Sequence, residues 1–378
     1  MNAERLHAVI LALRSEMTQT AVVKKMQNLV NSLDAVVQGS NASTQQTLAT
    51  SLSNFYAALS EAPSDAFSPG WRQILREMGV EELFGNRLAE RVKTSLAKNQ
   101  ITPAVAAQEL QEILKKLEQV ENALSGAASA FQIFGIGSEK LQPGEAEIGL
   151  LVPRQAVKNE LLDFADELKE LGFILNTFSE VATGETDQLK IKTISSSDLL
   201  VYLQACAPYA ACLAVAVERV IALYKQLLEI RKLHQEILNH GVPDDKTAGI
   251  EQFANELMEK GIEKAAGEIV DKFYEGNDKG RKHELVVKVR ISMNKIANRV
   301  DQGYSVEVRV AAPSADDPKA KDEAYRNAVE LIQSISPTLE FLKLEGPPLL
   351  KLPETTEKLK KKEKATASAS EKRAHEES

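Results

Sequence analysis

A chain of 378 residues is long enough for two or more domains with sizeable cores, and 43% hydrophobic against 26% charged residues is the balance of a soluble globular protein. The net charge of −8 argues against a general nucleic-acid binder, since phosphate contacts need clustered positive potential. Cys206 and Cys212 are the only cysteines, and their spacing suits neither a disulfide framework nor a zinc knuckle, so we expect a reducing, cytoplasmic setting.

The N-terminal stretch MNAERLHAVILALRSEM has too short an uncharged run, and no small-residue cleavage site, to be a signal peptide. Leu6, Val9, Ile10, Leu13 and Met17 instead make one helical face. Val22, Met26, Leu29, Leu33 and Val36 step by four and three before Gly39, and Leu48, Leu52, Phe55 and Leu59 repeat the spacing. Ser68-Pro69 and Thr102-Pro103 each place a cap and a first-turn proline ahead of an apolar helical face, the second carrying Ala106, Leu110, Ile113, Leu117, Val120 and Leu124. Residues 1–124 therefore predict an antiparallel helical bundle with heptad-like seams, or an intermolecular coiled coil. The uncharged, small-residue stretch SGAASAFQIFGIGS marks 125–143 as a hinge.

The character changes after Gly144. AEIGLLV (146–152) reads as a strand stopped by Pro153, 157–171 as an amphipathic helix, and 173–181 and 189–194 as two strands joined across Thr183-Gly184-Glu185. Next comes the least polar stretch of the chain. A capping box at Ser195 and Asp198, heptad spacing from Leu213 and a stop at Gly241 and Pro243 predict a long central helix over 196–240, with Pro208 as a candidate hinge within it. Its portion 199–217 carries no charge and is nearly long enough to cross a bilayer, so contact with a membrane is the alternative to burial.

Further helices are expected at 248–274, with Ile250, Phe253 and Leu257 starting its apolar face, and at 322–334; in 281–300 Val287, Val289, Ile291 and Met293 alternate as a strand would, but the shared face of Leu285, Val289, Met293, Ile296 and Val300 and the stop at Gly303 favour a helix. YSVEVRV (304–310) is a strand, and the extended pieces 339–344 and 349–352 are expected to return to the sheet begun near residue 146, making 144–353 one α/β domain. The lysine-rich tail 354–378 lacks apolar residues to bury and is expected to be disordered. The fold class is thus α+β and predominantly helical: an N-terminal helical bundle followed by a small sheet covered by long helices.

No motif demands a reaction. His7, His234, His240, His283 and His375 fall in no metal-ligand spacing and read as surface or cap residues, and neither a phosphate-binding loop nor a nucleophile elbow occurs. Catalytic, cofactor-binding and metal residues are accordingly none, and no cofactor is expected. One charged pattern stands out. On a helix over 281–300, Arg281, Lys288, Lys295 and Arg299 share one side, a candidate docking stripe for an acidic partner, a phosphate-bearing ligand or a membrane surface. The leading expectation is a non-enzymatic cytoplasmic interaction, scaffold or regulatory protein with a protein partner or homo-oligomeric contact. The alternatives are a membrane-associated effector using 199–217 and an enzyme of unfamiliar type.

Overall fold

The computed structural model describes residues 2–186, 189–195, 199–240, 247–313 and 321–359. The chain divides into two compact units, Met1–Lys140 and Leu141–Ser378. It is predominantly helical, with N-terminal helices preceding a small four-stranded antiparallel sheet that further long helices cover.

In the first unit, local signals set the helix ends. Asn2 caps α1 (Ala3–Thr20), and Ala21 in the left-handed region separates it from α2 (Val22–Gln38). Asn41 and Thr44 form a reciprocal capping box at α3 (Ala42–Leu59), and Ser68 with Pro69 opens α4 (Pro69–Glu77). α5 (Gly85–Lys98) and α6 (Pro103–Ile133) complete the unit. Their apolar faces meet in one core containing Leu13, Met26, Leu29, Phe55, Leu88, Leu110, Leu114 and Leu117. Buried Glu16 ties the loop before α4 to α1, accepting from Ser64 N (2.7 Å) and Ser64 Oγ (2.9 Å).

The stretch expected as a hinge begins as the last turns of α6, because serine and alanine without a proline leave the helix free to continue. The chain then folds back on α1: Arg5 pairs with Glu139 through two bonds of 2.7 and 2.8 Å, and His7 Nδ1 lies 2.9 Å from Ile136 O.

The second unit is built on β1 (Ala146–Val152), one of the two inner strands of a four-stranded sheet ordered β2-β3-β1-β4. β2 (Lys190–Ser195), β3 (Leu199–Ala205) and β4 (Ser305–Val310) supply the rest, all pairs being antiparallel. Ile148 sits opposite both Leu203 and Val308, and all three enter the core. On the reverse face Gly149 lies between Tyr202 and Glu307, where an added Cβ would come within 2.8 and 2.7 Å of their side chains. Only glycine fits there without displacing them.

Two departures from expectation come between β1 and Ala248. α7 runs unbroken over Leu161–Thr183, so 173–181 is helix, not strand. The turn residues that suggested a hairpin are its C-cap: Gly184 is left-handed at φ 76° and donates to Glu180 O at 2.9 Å. The expected long helix is instead strand β3, then α8 (Ala207–Lys225), then α9 (Leu228–Asn239). A continuous apolar run such as LLVYL suits a strand with both faces covered as well as it suits a buried helix, and the sheet decides. The central position is kept by α8, which packs on β1, β4 and α7 and on the later helices Ala248–Phe273, Lys279–Asp301 and Glu323–Ile335.

α10 (Ala248–Phe273) buries Ala254, Met258, Ile262, Ala266 and Ile269, while Phe253 is exposed. A Cβ at Gly261 would lie 2.5 Å from Leu223, so the glycine lets α10 approach α8 closely. α11 (Lys279–Asp301) buries Leu285, Val289, Met293, Ile296 and Val300, and α12 (Glu323–Ile335) packs on α8 and β4. The pieces 339–344 and 349–352 form no strand and do not join the sheet. The tail is ordered in its first residues, with Leu359 buried, and 360–378 lie outside the described residues.

Candidate functional site, a groove holding an extended segment

The four cations of the expected docking stripe lie on one side of α11, opposite α7. Arg281 pairs with Glu180 and Glu284, and Lys288 lies 3.4 Å from Glu180 and 3.5 Å from Glu284. Lys295 pairs with Glu170 and sits over the Phe173 ring. Arg299 grips Glu167 through two bonds of 2.6 and 3.0 Å. A stripe that can be read from one helix is thus half of an electrostatic seam whose other half, Glu167, Glu170 and Glu180, belongs to α7. Pro208 occupies the first turn of α8, where its missing N–H has no partner to lose, and Cys206 is the N-cap.

A different assembly of buried polar groups lies on the face that α9, α10 and α11 turn towards the C-terminal strap, residues 345–354. α11 presents Asn294, Asn298 and Asp301 at steps of four and three, hence along one face. Asparagine is a poor helix former because its amide competes for backbone groups, and here the amides bond to the backbone of another segment. Leu350 N donates to Asp301 Oδ2 (2.7 Å), Lys351 N to Asn255 Oδ1 on α10 (2.7 Å), and Leu352 N to Asn298 Oδ1 (3.0 Å). In return Asn255 Nδ2 donates to Leu349 O (3.1 Å), Asn298 Nδ2 to Leu352 O (3.1 Å) and Asn294 Nδ2 to Pro353 O (2.8 Å). Successive strap amides therefore go to α11, α10 and α11 again, as they must when an extended chain lies between two walls.

Arg231, buried on α9, fixes the entry to the strap. It donates to Glu345 O (2.9 Å) and Gly346 O (2.6 Å), while its Nη1 bonds to Asp301 Oδ1 (2.6 Å) and Asp301 O (2.7 Å). The Tyr224 hydroxyl also donates to Asp301, and burial, reinforced by that carboxylate, holds its pKa well above the ordinary tyrosine value. Tyr224 thus stays a neutral donor throughout the physiological range. Between the polar contacts Leu349, Leu350 and Leu352 are buried at 1, 6 and 4% exposure, while Lys351 points outward to Glu251 (2.9 Å).

A second concavity lies where β1 and β4 meet α7 and α11, about 410 Å³ including its open mouth, and its walls are aliphatic except for Arg299, Tyr304 and Ser305. Arg299 is already engaged by Glu167, so the space has no free charge to orient a ligand. Two histidines depart from expectation: His7 is buried and stacked on Phe131 (5.0 Å between centroids), and His234 is buried with neither ring nitrogen hydrogen-bonded. Among the described residues, no group of three or more His, Cys, Asp or Glu is placed to hold a metal ion. α8 has the length and composition to cross a membrane, but 72% of its apolar window is buried in the fold. No protein-family profile, curated protein or solved structure matches this chain.

The groove was missed at the level of sequence. A signal existed in Asn294, Asn298 and Asp301, uncharged amides and a carboxylate on one face of a helix whose other sides are apolar or basic. What they bond to, a segment some fifty residues downstream, has no trace in local periodicity.

Proposed function

We propose that this chain is a non-enzymatic cytoplasmic interaction protein of the scaffold or regulatory kind, acting through its helical surfaces on a protein partner. One observation carries the reading. Polar and charged side chains on the α7–α11 seam and in the groove are spent on holding segments of polypeptide, and the groove holds one by its main chain. Hydrogen bonds to main-chain N–H and C=O are indifferent to side-chain identity, which is the chemistry of peptide recognition and not of a reacting centre. The cytoplasmic setting rests on the sequence, in which two cysteines six residues apart suit no disulfide framework.

Display of random peptides and folded domains against the immobilised full chain, together with light scattering on the eluted protein, tests the proposal. Enrichment of a binder, or a defined oligomer, is the expected result. A strictly monomeric chain that enriches nothing overturns it.

A further inference from the structure

We infer that the groove between α10 and α11 is a peptide-binding site and that residues 349–353 are its intrinsic, displaceable ligand. The occupant from outside would be an extended peptide with the strap's own chemistry: aliphatic side chains in the spacing Leu-Leu-x-Leu, with a cation at the third position to meet Glu251. The inference rests on the interaction reading above and adds to it the ligand and its competitor.

Three observations support it. First, the strap is recognised as a ligand would be. Among the described residues no backbone–backbone hydrogen bond joins 340–354 to the rest of the chain, and its amides are met by side chains of Asn255, Asn294, Asn298 and Asp301. Second, it comes after the last strand and helix of the sheet and its cover. Exposed residues 345–348, with Gly346 left-handed at φ 81° and then two prolines, lead into it, so its departure would break no ladder. Third, the groove is incompletely satisfied by its resident. Asn294 is fully buried and its Oδ1 has no hydrogen-bond donor. Asn298 takes both the N–H and the C=O of residue 352; the same pattern at Asn294 would need the N–H of residue 353, which is proline. A peptide with any other residue there supplies the missing donor.

The strap is held by covalent connection as well as by contact. Its high local concentration lowers the affinity of the intact chain for a free peptide by the fraction of time the groove is empty.

The test uses the full chain with a site-specific protease sequence inserted between Pro347 and Pro348, both exposed. The folded protein is cut there, and a fluorescent peptide of residues 348–359 is followed by anisotropy. The peptide should enter the cut chain and bind the uncut chain on the order of 100-fold more weakly. Asn255→Ala and Asn298→Ala in the cut chain should each weaken it by roughly 10-fold. A peptide with Leu350→Asp and Leu352→Asp should not bind, and one with Pro353→Ala should bind more tightly, by about 2- to 10-fold. Thermal melting of the cut chain checks that it stays folded.

The inference is overturned if the cut chain keeps its own strap through dilution and excess peptide, if cutting abolishes cooperative melting, or if binding ignores both asparagine substitutions. Dimers formed by exchange of straps between copies would overturn it in favour of a second copy as occupant. Failure of the exchange while peptide or domain display still yields a binder leaves the interaction reading standing; failure of both removes both.

Discussion

Asn298 shows how one side chain can connect two parts of a chain that share no backbone ladder. It bonds to the N–H and the C=O of Leu352, so Asn298→Ala leaves both groups buried without a partner. A loss of about 1–3 kcal/mol in urea unfolding is expected, with faster amide exchange at residue 352 and little change in β1. Glu16 allows a test of sign at the other end of the chain. Burial holds its pKa above the ordinary glutamate value against the bonds from Ser64 that lower it. The folded state then binds the proton more tightly than the unfolded state, so this group's contribution to stability falls as pH rises from the ordinary value to the raised one and is flat above it. Glu16→Gln should remove that dependence. Unfolding midpoints of variant and parent, compared between about pH 4 and 7, should diverge in the variant's favour as pH rises.

At the scale of elements, the α7–α11 seam and the surroundings of α8 set the second unit. Arg299 and Glu167 are both largely buried, so Arg299→Met alone should cost about 3–5 kcal/mol by stranding the carboxylate, and Arg299→Met with Glu167→Met should recover most of it. A double-mutant cycle read by denaturant unfolding checks this, and additive losses would show that the two groups are not coupled. Lys288 is far more exposed and stands 3.4 Å or more from either carboxylate, so Lys288→Ala should change stability by no more than about 1 kcal/mol. α8 is lined by fully buried Ala210, Ala211, Ala214 and Ala216, which let its neighbours close in on every side. Ala211→Leu should therefore destabilise by about 1–3 kcal/mol through overpacking, whereas a helix with a lipid-facing side would accept the change. Elements with strong local punctuation were legible beforehand: β1 before Pro153, α4 behind Ser68-Pro69 and α6 behind Thr102-Pro103; α11 was legible only against a competing strand pattern. α7 and β3 were not, since Gly184 serves a helix C-cap as readily as a hairpin, and an uncharged apolar run satisfies a strand or a helix alike.

Over the whole molecule, each unit has its own core, so residues 1–140 expressed alone should unfold in one cooperative transition. A fragment without a cooperative melt would show that this core is insufficient. The sequence by itself determined the class of the protein: helices first, then a small sheet, with cores wherever apolar residues recur at three and four. Those features follow from local sterics, capping and the period of burial, all written within a few residues. Only the tertiary structure decided that the basic stripe on α11 faces the acidic side of α7, that the uncharged stretch is split between an inner strand and a central helix, and that three asparagines and an aspartate hold the strap. Each of these joins groups far apart in the chain, and the energy that fixes them, paired charge or a satisfied buried amide, exists only once both partners have been brought together.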